Sequence, residues 1–186
     1  MRNLSKKILL LNLVLSQTIL LGVAVALKII LVPNRALNSL LDFKITPWTI
    51  AVLLFGILFL LLVEILFYKY LPRHELAEDL NRMLIEKFSG FELGLIFFVG
   101  ALIEEFLFRF LLQSLLGVLL TSIIFALIHV RYIFKKFMLL EVFLLSIILG
   151  MAYKMTAMFY VPVVCHFMLN FITALLIKKG FIVLES

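Results

Sequence analysis

Charge is scarce in this chain. Only 15% of its 186 residues are Asp, Glu, Lys or Arg, 65% are hydrophobic, and the mean hydropathy is +1.23. A soluble domain is usually about 45–50% apolar, so the composition excludes an ordinary water-soluble core and implies helices that face lipid. There is one cysteine, Cys165. It excludes an intrachain disulfide and leaves the redox compartment open. No internal repeat and no low-complexity segment occurs, and the missing repeat counts against a small transporter. The net charge of +6 comes without a basic stripe interleaved with aromatics, so nucleic acid is not a partner. The basic residues instead cluster between apolar runs, as expected for orientation in a membrane and contact with anionic lipid. The length suits one membrane domain.

The fold class expected is an all-α integral membrane protein with about six transmembrane helices. The first runs roughly from Ile8 to Val32. Ala24-Val25-Ala26 offers a signal-peptide-like cleavage site, but the apolar run continues past it to the length of a full span, so a retained helix is expected. The second span starts near Pro47-Trp48 and ends near Tyr68-Lys69-Tyr70. Proline suits a first helical turn, and tryptophan and tyrosine suit the interface. Pro72 to Lys87 is the one polar segment. Leu76, Leu80, Met83 and Leu84 recur in it at helical spacing, which predicts a short amphipathic surface helix. Four more spans follow, near Glu92–Leu112, Leu116–Val130, Phe137–Lys154 and Tyr160–Ile177. The organisation expected is an N-terminal membrane region over 1–90, a core over 91–178 and a short tail over 179–186. Twelve Lys and Arg (Arg2, Lys6, Lys7, Lys69, Arg73, Arg82, Lys87, Arg131, Lys135, Lys136, Lys178, Lys179) fall at one set of span ends, against Arg35, Lys44 and Lys154 at the other. Six spans with both termini cytoplasmic fit that bias.

Glu104-Glu105-x-x-x-Arg109 places two carboxylates and a guanidinium inside an apolar run. Each charge at bilayer depth costs roughly 2.5–3.5 kcal/mol on insertion scales. Residues four apart share a helix face, so Glu105 can reach Arg109, while Glu104 points about 100° away. A carboxylate with no intrahelical cation is the one free to act as a general base. His166 and Asn170 also lie one turn apart on one face and can present two donors to a single point, as an oxyanion requires. His129 ends a span, where it can share a water with Glu104 or bind a metal.

Blander readings exist for each part. A Glu–Arg pair is often a structural clasp, a lone intramembrane histidine often an interhelical donor, and His-x-x-x-Asn alone is weak. The odds change because all of these fall on three candidate helices in the last half of the chain. His74 lies in the polar segment and reads as solvated; Cys165 reads as small core filler. Glu64 and Glu141 are expected to reach the interface near Lys69 or Lys136, with a gating or substrate-binding role for Glu64 as the sharper reading.

The ordered set Glu104-Glu105-x-x-x-Arg109, Phe125-x-x-x-His129 and His166-x-x-x-Asn170 resembles the CAAX protease and bacteriocin-processing family of intramembrane endopeptidases, also called the Abi family. The resemblance covers roughly Phe91–Lys178. It implies that Glu104 and His129 activate a water, that His166 and Asn170 stabilise the oxyanion, and that Glu105 and Arg109 support them. It requires no cofactor, although Glu104, His129 and His166 are zinc-competent ligands; no His-Glu-x-x-His motif is present. Hydrolysis at or near the membrane surface is expected, with a peptide or protein substrate and membrane lipid as partners and no implied oligomeric state. The bacterial kind of relative acts in peptide maturation, export or bacteriocin immunity. The alternative is a non-catalytic immunity or scaffolding protein that binds a peptide or partner through the same cavity.

Overall fold

The computed structural model describes residues 4–71 and 79–182. Arg2, Arg73, His74 and Leu76 lie outside the described residues. Every regular element among the described residues is helical. Helix α1 spans Lys6–Ile30, capped by the Ser5 hydroxyl, which accepts from the Ile8 amide at 3.3 Å. Helix α2 spans Pro47–Tyr70 and opens on a capping box between Thr46 and Thr49, with proline at a position whose amide has no helical partner. Helix α3 is Asp79–Lys87. Helix α4, Gly90–Glu105, starts at a second capping box, Ser89 with Glu92, and continues without interruption into a π-helical stretch, Phe106–Leu112, and helix α5, Gln113–Ile128. Helices α6, Lys136–Thr156, and α7, Tyr160–Lys178, complete the bundle.

Among the described residues five helical runs are long and apolar enough to cross a membrane, and the third is the 39-residue run Gly90–Ile128. It joins the two spans expected near 92–112 and 116–130. Its joint is Gly117, at φ 73° and ψ 178°. That backbone region is essentially confined to glycine, and it folds the run into a hairpin. Phe125 returns to Phe108, with ring centroids 4.8 Å apart. The returning arm from Gly117 to Ile128 is therefore only about 16 Å long, too short to span alone. The start of α1 and the end of α7 nevertheless lie at one end of the bundle. Lys6 bonds Glu92 at 2.7 Å and sits over the Phe88 ring, while Lys178 donates to the carbonyls of Ile85 (3.2 Å) and Phe88. At the opposite end Trp48 donates to the Met155 carbonyl and Tyr160 to the Lys44 carbonyl. The described helices thus run out and back between the two ends of the bundle, the third run folded on itself at Gly117.

Helix α3 keeps the amphipathic character expected of it. Its apolar face, with Leu84, Ile85 and the adjoining Phe88, is covered by Leu9, Leu93 and Ala174 of the bundle. The lipid-facing surface is broad: in α1 only Leu9 and Ala24 are buried, while Leu11, Val14, Leu15 and Ile19 are exposed. Exposed apolar area on that scale has no place in water. The interior is aromatic around the hairpin, where Phe108, Phe110, Phe125 and Phe159 pack with Leu107, Leu111 and Val163. Cys165 is wholly buried and packs with Leu60, Val161 and Leu169 as core filler, adjacent to His166 in sequence but serving the apolar side of α7.

Candidate active site

Glu105 and Arg109 are completely buried and form the expected i, i+4 pair, with Arg109 Nε donating to Glu105 Oε2 at 2.9 Å. The pair is also part of a larger network. His166 Nδ1 donates to Glu105 Oε1 at 2.8 Å, and an Arg109 terminal nitrogen donates to the Ser146 hydroxyl at 2.9 Å. The guanidinium lies 5.3 Å from the centroid of the Phe125 ring. One carboxylate therefore joins α4 to α7, and one guanidinium joins the π-helical stretch to α6 and the returning arm. A buried ion pair is held best when its remaining hydrogen-bonding groups are satisfied as well; here His166 and Ser146 satisfy two of them, while Arg109 Nη1 is buried without a hydrogen-bond partner.

Two packing features make room for the network. The π-helical stretch widens the turn that carries Arg109, a distortion that recurs at functional sites. Gly150 lets α6 come close: a Cβ there would lie 2.9 Å from both Gln113 Oε1 and Val118 Cγ1, and 3.5 Å from an Arg109 nitrogen. Gln113 uses the same approach to donate to the Gly150 carbonyl at 2.8 Å.

The hairpin sets the level of His129. With Phe108 opposite Phe125, the returning arm carries His129 back towards the level of Glu104, and both line one cavity. A straight six-helix count puts His129 at one membrane edge and His166 at the other; the bend at Gly117 removes that conflict. His129 Nδ1 lies 2.7 Å from the Phe125 carbonyl. A carbonyl only accepts, so Nδ1 carries the proton and Nε2 is left for other work. On α7, the bond to Glu105 likewise leaves His166 with Nε2.

Glu104, His129, His166 and Asn170 all line one cavity of about 940 Å³. It runs from the level of Glu104 to the bundle end that carries Asn81 and Tyr132. Glu104 lies roughly midway along the Gly90–Gly117 arm, about 20 Å from either end, so the site is within the bundle rather than at its surface. Among the described residues, no three His, Cys, Asp or Glu side chains gather closely enough to hold a metal ion. Glu104, His129 and His166 thus do not form a ready zinc site.

Three features of the site lay beyond the sequence reading. Gln17 of α1 donates to Glu104 Oε1 at 3.3 Å, and its own carbonyl oxygen is buried without a partner. Its signal was a polar side chain in an otherwise apolar span. Ser146 gave no signal, being one small residue in an apolar run. Glu64 and Glu141, expected at the interface beside Lys69 or Lys136, instead face each other in hydrogen-bonding contact and line the same cavity.

A family model described as "Type II CAAX prenyl endopeptidase Rce1-like" matches residues 87–172, the stretch that carries all four cavity residues named above. The chain is also 32% identical over 120 residues to "Uncharacterized protein YpbD" of Bacillus subtilis (strain 168), an alignment covering 63% of this chain and 63% of that relative. No solved structure matches.

Proposed function

We propose, from the match of residues 87–172 to the Rce1-like CAAX prenyl endopeptidase model, that the chain is an intramembrane endopeptidase. The observation that carries the reading is the convergence of Glu104, His129, His166 and Asn170 on one cavity, around a buried Glu105–Arg109 pair that fixes His166.

The chemistry follows from the donors and acceptors left over. Glu104 takes a proton from a water that His129 Nε2 orients by accepting its other hydrogen. The hydroxide attacks the carbonyl carbon of the substrate peptide bond. Asn170 and His166 donate to the resulting oxyanion. His166 can do so only through a protonated Nε2, hence as an imidazolium whose Nδ1–H the Glu105 carboxylate holds. Glu104 then passes its proton to the amide nitrogen, the C–N bond breaks, and an acid and an amine leave. Gln17 holds Glu104 from the side of α1. The substrate is a peptide or protein segment drawn into the bundle, and peptide maturation or bacteriocin-related processing is the setting proposed. The Lys and Arg bias supports a reading with both termini in the cytoplasm and the cavity mouth on that side of the cell membrane.

The test compares wild type with Glu104→Gln, purified in detergent, on a fluorogenic peptide library with and without a chelator. Glu104→Gln is expected to fold normally and lose activity by about 10²–10⁴-fold, and wild type to be unaffected by chelator. Loss of wild-type activity under chelator would replace the bare-glutamate mechanism with a metal one. If Glu104→Gln still rescues a knockout in cells, the protein acts by binding, as a non-catalytic immunity or scaffolding factor would.

A further inference from the structure

Glu64 of α2 and Glu141 of α6 are not used by the hydrolytic chemistry, yet they line its cavity together with Thr173 of α7. The two carboxyl groups are in hydrogen-bonding contact. Glu141 is 7% exposed, and its Oε1 is buried without a hydrogen-bond partner. Thr173 is 8% exposed, and its hydroxyl reaches towards Glu64 without making a hydrogen bond of good geometry. Among the described residues neither carboxyl has an ion-pair partner. Lys69, the cation nearest Glu64 in sequence, is turned to the Tyr70 ring at 5.2 Å. The contrast with Glu105 is informative. That carboxylate is fully buried, and Arg109 and His166 complete it, whereas the pair of Glu141, buried, and Glu64, half-buried, has no cation beside it among the described residues.

A single proton between the carboxyls would satisfy their mutual contact and leave Glu141 Oε1 without a donor. A divalent metal would need a third hard ligand, and no such triad occurs among the described residues. An ammonium brings three donors and a guanidinium five, each with the charge that two carboxyls call for. Position identifies the source of that cation. His166, Asn170 and Thr173 follow one another at i, i+4 and i+7 on one face of α7, so Thr173 lies about 10 Å from His166 along the helix, towards the mouth. An extended peptide advances about 3.3–3.6 Å per residue. A chain with its carbonyl at His166 and Asn170 therefore brings a side chain about three residues away to the acid pair.

We propose that Glu64, Glu141 and Thr173 form an anionic subsite that takes a lysine or arginine side chain of the substrate, about three residues from the bond cut. The proposal rests on the peptidase reading for the identity of its ligand as a substrate.

The test uses a ten-residue apolar peptide carrying one arginine and its twin with isosteric, neutral citrulline. Glu104→Gln protein, which keeps the peptide intact, is treated with a hydrophobic carbodiimide, and adducts on Glu64 and Glu141 are mapped by mass spectrometry. The arginine peptide is expected to suppress labelling about tenfold more than the citrulline peptide, the equivalent of one charge-assisted hydrogen bond. In Glu64→Gln/Glu141→Gln protein, the two peptides are expected to bind equally in fluorescence anisotropy. Equal protection by both peptides overturns the subsite, and so does protection by butylguanidinium as strong as that by the peptide, which would make the pair a small-cation site. Parallel cleavage by wild type separates the two readings. Selective protection without cleavage of either peptide leaves the subsite standing and sinks the peptidase. Cleavage of both peptides at one rate with equal protection does the reverse.

Discussion

Removing the Arg109 guanidinium should cost more stability than removing both charges of its pair would suggest. In Arg109→Met the Glu105 carboxylate stays buried and loses the 2.9 Å bond from Nε, and Ser146 loses its donor. Removing one member of a buried ion pair costs about 3–5 kcal/mol, chiefly because the other charge is left uncompensated. For a chain of this length each kcal/mol lowers the melting temperature by about 2–4 °C, so a fall of about 10 °C is expected. Glu105→Gln should cost a similar amount by stranding Arg109. The double variant removes both charges, and the amide oxygen of the introduced glutamine can still accept from His166 Nδ1. Its cost should fall short of the sum of the singles by about 2–3 kcal/mol. Cys165 supplies the assay. It is the sole cysteine and fully buried, so a thiol-reactive dye in detergent reports unfolding directly. Additive losses across the three variants, or an Arg109→Met protein as stable as wild type, would refute the account of Glu105 and Arg109 as one charge-balanced unit.

Gly117→Ala puts a side chain at φ 73°, ψ 178°, which should cost about 1–3 kcal/mol in backbone strain. Any variant that survives should lose peptidase activity through displacement of His129, read as a lower kcat alongside a lowered melting temperature. Asn170→Ala removes one oxyanion donor and should lower kcat by about 10²–10³ with little change in KM. An equal rise in KM instead would make Asn170 a binding residue. Gly150→Ala overpacks against Val118 and should cost about 1–3 kcal/mol. Thermal unfolding of the variant against wild type checks it.

What the sequence could reveal follows from the range over which each interaction acts. The spans of α1, α2, α6 and α7 were legible because composition and cap residues act locally; Thr46-Pro47 and Ser89-x-x-Glu92 mark two helix starts by chemistry confined to one turn. The Glu105–Arg109 pair was legible for the same reason, since four residues of helix bring the two together whatever else happens. The partners that complete it were not. His166 reaches Glu105 across 61 positions and Ser146 reaches Arg109 across 37, and neither separation carries a period. The level of His129 depended on a conformational fact, the positive φ of Gly117. A glycine in an apolar run reads as a tolerated helical residue, and hydropathy is indifferent to whether the chain turns back there. That one dihedral converts two presumed full spans into a long arm and a short one, and so brings His129 from the membrane edge to the cavity that Glu104 lines. The acid pair was missed for a related reason. Glu64 and Glu141 each lie near a span end with a lysine a turn or so away in sequence, which locally favours the interface. Helices α2 and α6 pack so that the two carboxyls meet at the cavity wall, and that rotation about the helix axis is fixed by contacts such as Val52, Leu60, Leu149 and Ala152, none of which is charged. Apolar packing thus decides where the charges of this protein meet, and the polar residues alone show only that they must meet something.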